Sequence, residues 1–135
     1  MAKSKLLIVS IVIVLAVASL ACGGSVSTAN IRSATLSANS GGTPETTVFQ
    51  QDALTVYCIV KLANAPSDTT VKAVWTAVDT DGADPNTPIG EKELTSGDGD
   101  LTFEIANNQL WPVGKYKVDL YLNGKLDRTL EYQVQ

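Results

Sequence analysis

Histidine, the side chain that most often serves as a general base or a metal ligand, is absent from this sequence of 135 residues. Its absence excludes Ser-His and Cys-His nucleophilic pairs as well as His-ligated metal centres. A carboxylate-only mechanism remains, but the one close acidic cluster lies in a glycine-containing turn that nothing holds rigid. The sequence therefore predicts a protein that is not an enzyme and that binds no cofactor.

The acidic cluster offers Asp79, Asp81 and Asp84 as candidate calcium ligands, and we expect Asp98-Gly99-Asp100 to lie at the same end of the molecule. Calcium takes several oxygen ligands on a flexible loop. However, the glycine of the cluster falls at the fourth position, whereas an EF-hand loop needs it at the sixth and closes with a glutamate that is missing here. Asp-Gly is also a common turn dipeptide. Solvated turns are predicted, with weak calcium binding as the alternative.

Two aromatic side chains, Tyr57 and Trp111, are expected to be partly exposed. Exposed aromatic rings are used by sugar-binding and protein-binding surfaces. The alternative is that they only cap an open end of the fold, because single exposed apolar residues are common on protein surfaces.

The chain has two cysteines, Cys22 and Cys58. Cys58 alternates in phase with Val56 and Val60, which places it on the inward face of a strand, where cysteine behaves as a small hydrophobic residue. Reactive thiols need an exposed and electropositive setting, so we predict a buried, inert thiol.

The first 21 residues have the organisation of an export signal. Two lysines in MAKSK precede an uncharged run from Leu6 to Leu20, and Ala21-Cys22 follows at once. Because a membrane-spanning helix needs about 20 apolar residues, a cleaved signal helix at 1–21 is favoured over a permanent anchor.

The segment Ala18-Ser19-Leu20-Ala21-Cys22 resembles the lipobox of bacterial lipoproteins, with Ser19 where that family usually has leucine. The resemblance implies that Cys22 becomes the new N-terminus and the site of lipid attachment, with a diacylglycerol thioether and palmitate. It also implies a location on the extracytoplasmic side of a bacterial membrane, in the cell envelope. The alternatives are an ordinary signal peptide, which would leave Cys22 a free thiol, and an uncleaved anchor.

The remaining chain divides into a short flexible tether, residues 22–30, and one domain at 31–135. The tether is small, polar and uncharged after Cys22, a composition that cannot order itself. The whole chain has 10 Lys and Arg against 14 Asp and Glu; without Lys3 and Lys5 the mature chain has 8 against 14, a net charge of −6. This charge argues against nucleic acid as a partner.

From residue 31 onward apolar residues recur with a period of two, which is typical of β-strands with one buried face. No helix longer than one turn is expected, and Gly, Pro, Asn and Asp separate the strands. Seven strands are predicted, at 31–38, 54–62, 71–77, 89–95, 101–105, 115–122 and 126–134. Short strands at this spacing predict an all-β, antiparallel sandwich.

The turn at Asn123-Gly124 has two candidate registers. A two-residue loop would place Leu122 opposite Lys125 and inward leucines opposite charges. A three-residue loop with a bulge would pair Leu120 with Leu126 and keep both on the core. The bulged loop is predicted.

The segment Trp111-Pro112-Val113-Gly114-Lys115-Tyr116-Lys117-Val118 resembles the tyrosine corner of immunoglobulin-like domains. The resemblance implies that the Tyr116 hydroxyl bonds to nearby backbone, and that Cys58, Trp75, Tyr116 and Val118 form the centre of the core, without a disulfide. It implies an immunoglobulin-like fold but no activity.

Two functional classes follow. The first is a non-catalytic, lipid-anchored envelope protein that acts as a protein-interaction or structural module, with the membrane and an envelope protein as partners. The second is a surface lipoprotein that binds a carbohydrate or another small ligand through loops at one end of the sandwich.

Overall fold

A computed structural model describes residues 27–135 as two packed β-sheets. The predicted signal helix at 1–21 and Cys22 lie outside the described residues. No helix within residues 27–135 has the length and hydropathy needed to span a bilayer. The strands are β1 (Asn30–Ser37), β2 (Val48–Phe49), β3 (Thr55–Ala63), β4 (Thr69–Thr80), β5 (Thr87–Ser96), β6 (Gly99–Ala106), β7 (Gly114–Leu122) and β8 (Lys125–Val134).

One sheet has the order β1-β3-β6 and the other has the order β2-β8-β7-β4-β5. All pairings are antiparallel except that of β2 with β8. The all-β sandwich and each of the seven predicted strands are confirmed. The eighth, β2, was not predicted because two residues are too few to show alternation.

The core lies between the sheets and is formed by the inward positions of both. Cys58, Trp75 and Val118 are almost fully buried, as the resemblance implied. The Tyr116 hydroxyl donates a 2.6 Å hydrogen bond to the Pro112 carbonyl, so the tyrosine corner is confirmed. The Tyr116 ring stacks on Tyr132, with centroids 5.1 Å apart, which links neighbouring strands β7 and β8 in the core.

Gly114 is required where β7 begins beside the end of β4. Its φ is +149°, and a Cβ at this position would collide with the backbone of Asp79 and Thr80. Only glycine lets these two strands approach so closely two residues before the tyrosine corner.

The predicted register of the β7–β8 hairpin is wrong. Asn123 and Gly124 have φ of 49° and 81° and form a two-residue loop that pairs Leu122 with Lys125. The strand then carries an extra residue at Asp127, so that Leu120 pairs with Arg128 and the inward alternation resumes. Leu126 is consequently on the outside and 53% exposed. A two-residue turn would by itself place the inward residues of β8 on the wrong face. The bulge that corrects this lies inside β8 and not in the loop.

The sandwich has two distinct ends. We call the end formed by loops 64–68, 97–98 and 123–124 the proximal end, because the described chain begins there: Asn30 pairs with Ala63, and Thr69 pairs with Ser96. We call the opposite end, formed by loops 50–54, 81–86 and 107–113, the distal end, where Thr80 pairs with Gly114.

The first described residues lie against the proximal end. The Thr28 hydroxyl donates to the Asn64 carbonyl at 2.7 Å, and the Asn123 amide donates to the Ser27 hydroxyl at 3.4 Å. Residues 27–30, which the sequence places in the tether, therefore contact the sandwich, and β1 already begins at Asn30.

Candidate functional site

The loops of the distal end carry three large apolar side chains that are exposed to solvent. Leu54, Leu110 and Val113 are 41%, 60% and 38% exposed, and we call these three residues the distal patch. Leu54 ends the loop before β3, whereas Leu110 and Val113 belong to the loop between β6 and β7. Single exposed apolar residues are common, but three in the loops of one end make that end a candidate interaction surface.

Trp111 holds the two loops of the distal patch together. Its indole Nε1 donates to the Leu54 carbonyl at 3.1 Å, and its backbone N–H donates to the Gln51 carbonyl at 3.0 Å. The Gln51 side chain returns a 2.9 Å hydrogen bond to the Trp111 carbonyl. Because Trp111 is anchored inward by these bonds, its neighbour Leu110 projects into solvent.

The expected exposure of Trp111 is wrong, since only 6% of its surface is accessible. Its ring packs edge-on against Tyr116, 6.1 Å away, and its N–H is already bonded. Trp111 is thus a structural support of the distal patch, not a contact surface. Tyr57 is half-exposed, as expected, on the outer face of the three-stranded sheet between Ser37 and Glu104.

The acidic turn borders the distal patch. Asp79, Asp81 and Asp84 are exposed, and the Asp81 N–H donates to the Val113 carbonyl at 3.1 Å, which ties the turn to the patch. Among residues 27–135 no group of three or more acidic, cysteine or histidine side chains is placed to share a metal ion. The three carboxylates therefore form a negatively charged border and are not gathered around one point.

Asp98 and Asp100 are not at the same end as this turn, contrary to expectation. The Asp98 carboxylate accepts a 2.7 Å hydrogen bond from the Ala65 N–H in the proximal loop 64–68. The two acidic segments are separated because β5 runs the length of the sheet between them, and its 10 residues at about 3.3 Å each span roughly 30 Å.

The Cys58 thiol is buried and its pKa is raised to about 12 by the loss of solvation. It is a free thiol within the core, as predicted. A thiol that stays protonated and inaccessible at neutral pH is neither a nucleophile nor a metal ligand.

Two open grooves lie along the side of the sandwich near β8. One has a volume of about 450 Å³ and is bordered by Val48, Val78, Lys115 and Glu131; the other, of about 430 Å³, lies between β1 and β8. The distal patch is the candidate site because three of the five large apolar side chains exposed in the described chain lie in the distal loops.

The distal patch was missed by the sequence analysis, although one signal was available. The run Leu110-Trp111-Pro112-Val113 is apolar and lies between two predicted strands, where polar residues are usual. An apolar run in a predicted loop must either cap the core or be exposed, and here it does both.

No protein-family model and no curated protein matches this chain. Among solved structures, an immunoglobulin-like protein from Pseudomonas aeruginosa is similar at a TM-score of 0.53 and 12% identity, over 83% of this chain and 100% of that one. The alkylpurine DNA glycosylase AlkC from Pseudomonas fluorescens, bound to DNA, is similar at 0.50 and 16% identity, over 79% of this chain. A β-glucosidase from Erythrobacter marinus is similar at 0.51 and 11% identity, over 80% of this chain.

The chain spans only 30% of the DNA glycosylase and 15% of the β-glucosidase, but the whole of the immunoglobulin-like protein. At these identities the similarity concerns the fold alone. The chain from residue 27 onward is an immunoglobulin-like β-sandwich.

Proposed function

We propose that this protein is a non-catalytic, lipid-anchored envelope protein that uses the distal patch to bind another envelope protein. The single observation that carries the proposal is that the chain entry and the exposed apolar residues lie at opposite ends of the sandwich. The chain enters at the proximal end, whereas Leu54, Leu110 and Val113 are exposed at the distal end.

Attachment through Cys22 would orient the sandwich with its distal patch directed away from the membrane. Cys22 is five residues from Ser27, a length of chain that reaches at most about 18 Å. The proximal end is therefore held close to the bilayer surface, and the strands carry the distal patch roughly 30 Å further out. A surface directed away from the membrane is the part of an anchored domain that another envelope component meets first.

The chemistry of the distal end defines the partner. The exposed leucines and valine favour an apolar contact area, while the adjacent carboxylates of Asp79, Asp81 and Asp84 favour basic side chains at its margin. We infer a protein partner with an apolar centre flanked by lysine or arginine. The mature chain's net negative charge is consistent with this choice.

Binding of a carbohydrate is the weaker candidate. Sugar binding through aromatic stacking would need the exposed rings of Tyr57 and Trp111, and Trp111 is buried. Of the pair, Tyr57 alone remains available for stacking on a sugar, and it lies on the outer face of the three-stranded sheet, not in a loop.

Site-specific photocross-linking in intact cells tests the proposal. A photoreactive amino acid at Leu110 is expected to capture a discrete partner, whereas the same substitution at Leu126 is the matched control. Leu126 is also a leucine and is 53% exposed against 60% for Leu110, but it lies next to the proximal turn. Equal cross-linking at both positions, or at neither, would contradict a role for the distal patch.

The anchoring part of the proposal has a separate test. Mass spectrometry of the mature N-terminus is expected to find a lipid-modified Cys22. A chain that lacked the lipid but still cross-linked through Leu110 would leave the binding surface in place and refute the anchor.

A further inference from the structure

Four strands of the sandwich have an edge that is unpaired over most of its length within the described chain: β1 and β6 in one sheet, β5 and β8 in the other. β2 covers only the last two residues of β8. An unpaired edge presents free N–H and C=O groups to any other strand, and proteins usually blunt such edges with bulges, proline or charge.

Three of these edges are blunted. The pairings leave one extra residue on each strand: Arg32 on β1, Ile89 on β5 and Asp127 on β8. β5 also contains Pro88, which has no N–H to donate. Each bulge twists its strand locally and interrupts the regular spacing that a new partner strand would need.

β6 differs from the other three. Its residues, from Gly99 to Ala106, pair with β3 without a register shift and include no proline. Asp100 and Glu104 are its only charged residues, so charge is the one blunting device that it carries. It is a regular edge: no strand of the described chain pairs with its free side, although Gly90 of β5 in the other sheet lies against Ile105.

The hydrogen-bond direction along β6 follows from the ladder. Asn107 donates its N–H to the Leu54 carbonyl at 2.9 Å, which continues the β3–β6 pairing by one residue. Because the direction alternates along an antiparallel ladder, the odd-numbered residues of β6 bond to β3. The N–H and C=O groups of the even-numbered residues, Asp100, Thr102, Glu104 and Ala106, therefore point to the free side.

We propose that the β6 edge binds the β6 edge of a second copy of this chain, antiparallel and centred on Phe103. In this register Thr102 lies opposite Glu104 of the second copy, and Asp100 lies opposite Ala106 of the second copy. All the free backbone groups of the four even-numbered residues gain partners. The two three-stranded sheets become one continuous sheet.

Charge selects this register over its neighbours. A centre moved to Thr102 would place Asp100 opposite Glu104 of the second copy, and a centre moved to Glu104 would place the two Glu104 carboxylates opposite each other. Like charges directly opposite are destabilising. With the centre at Phe103 no two charges of the same sign are opposed.

The inward side chains fit the same register. Leu101 and Ile105 flank the buried Phe103 and are each only half-buried. Pairing centred on Phe103 sets Leu101 opposite Ile105 of the second copy, so that each covers the exposed part of the other.

Antiparallel pairing also fixes the orientation of the two copies. β6 runs from the proximal end at Gly99 to the distal end at Ala106, so the two N-terminal ends lie at opposite ends of the dimer. This consequence rests on the proposed anchor: two copies held through Cys22 would belong to facing membranes, and the contact would join them.

Substitutions at Thr102 test the pairing itself, using the full-length lipidated protein in detergent micelles. Thr102→Lys places a positive charge opposite Glu104 of the second copy, and Thr102→Glu places a negative charge there. Since each dimer contains the contact twice, sedimentation is expected to show a dimer dissociation constant lowered by Lys and raised by Glu, each about two- to thirty-fold. A protein that is monomeric at all concentrations, or a dimer that ignores both changes, would refute the proposal.

Cross-linking gives an independent measure of the contact in the same micelles. The two Thr102 side chains would lie diagonally across the interface at about 7 to 8 Å, within reach of a short bis-maleimide. Thr102→Cys is expected to yield a covalent dimer, while Glu93→Cys on the blunted β5 edge is the control. Equal yields at both positions would refute a role for β6.

Vesicles separate the pairing from the anchor. Vesicles that carry the lipidated protein are expected to cluster, more with Thr102→Lys and less with Thr102→Glu. A dimer in micelles with no clustering would refute the facing-membrane arrangement, and vesicles that fail to retain the protein would refute the proposed anchor.

Discussion

Removing one oxygen atom from each of two neighbouring tyrosines should have opposite effects on stability. Tyr116 and Tyr132 lie on adjacent strands, both rings are at least 96% buried, and they stack at 5.1 Å with an interplanar angle of 12°. Tyr116 donates to the Pro112 carbonyl at 2.6 Å. The Tyr132 hydroxyl is buried and has no hydrogen-bond partner in the described chain.

The expected magnitudes follow from this difference. Tyr116→Phe deletes a part-buried hydrogen bond to the Pro112 carbonyl, which should lower the free energy of unfolding by about 1 kcal/mol. Tyr132→Phe removes a polar atom that lost its solvation on folding without gaining a bond. That change should leave the free energy of unfolding unchanged or raise it by up to about 1 kcal/mol.

Urea denaturation of a soluble chain beginning at Ser25 measures both variants under one set of conditions. Each variant keeps its aromatic ring, so packing losses are matched and the hydroxyl is the only difference. A neutral Tyr116→Phe would refute the tyrosine corner. A Tyr132→Phe that destabilised as much as Tyr116→Phe would refute the assignment of an unpartnered hydroxyl.

Four further predictions concern other parts of the chain. Cys22→Ser should release the protein from the membrane or leave it as an uncleaved precursor. If mass spectrometry of the native protein found an unmodified N-terminus at a residue other than Cys22, the lipoprotein assignment would be contradicted. Gly114→Ala should destabilise by about 3 kcal/mol or more in urea, because its Cβ meets backbone; Gly82→Ala, also at positive φ but in open space, should cost about 1 kcal/mol. The pKa of the Cys58 thiol is raised from 9.0 to about 12. Above pH 9 the thiol would ionise in the unfolded chain but not in the folded one, so the free energy of unfolding should fall as the pH rises toward 12. In the folded protein at pH 8 a thiol reagent should leave Cys58 unmodified, and rapid labelling would contradict this. Millimolar Ca²⁺ should move the melting temperature by less than about one degree relative to EGTA, and a larger shift abolished by Asp81→Asn would instead establish a calcium site in the acidic turn.

The candidate site could be predicted only in part. The sequence offers Trp111 as a partly exposed aromatic residue, but its environment depends on Gln51 and Leu54, which lie 60 and 57 positions away in the chain. Without those partners the sequence gives no reason to bury Trp111 and expose Leu110. The separation of Asp98 from the acidic turn has the same origin, because it depends on how far β5 extends along the sheet.

Local patterns determined the strands and their buried faces. The period-two alternation around Cys58, Trp75 and Val118 is a property of consecutive residues, and the tyrosine corner joins positions only four residues apart. Such features are encoded within one strand and its adjoining turn, so they can be read from the sequence.

Only the tertiary structure decided the register of β8 and the identity of the free edges. Asn123-Gly124 is compatible with two registers, and the choice depends on a bulge at Asp127 that forms against β7. In the same way, the sequence of Gly99–Ala106 does not indicate that β6 is an edge strand. Its exposure follows from the order of the whole sheet, in which β3 covers one side of β6 and no strand of the described chain covers the other. Side-chain alternation is local, whereas pairing is settled by contacts between distant segments.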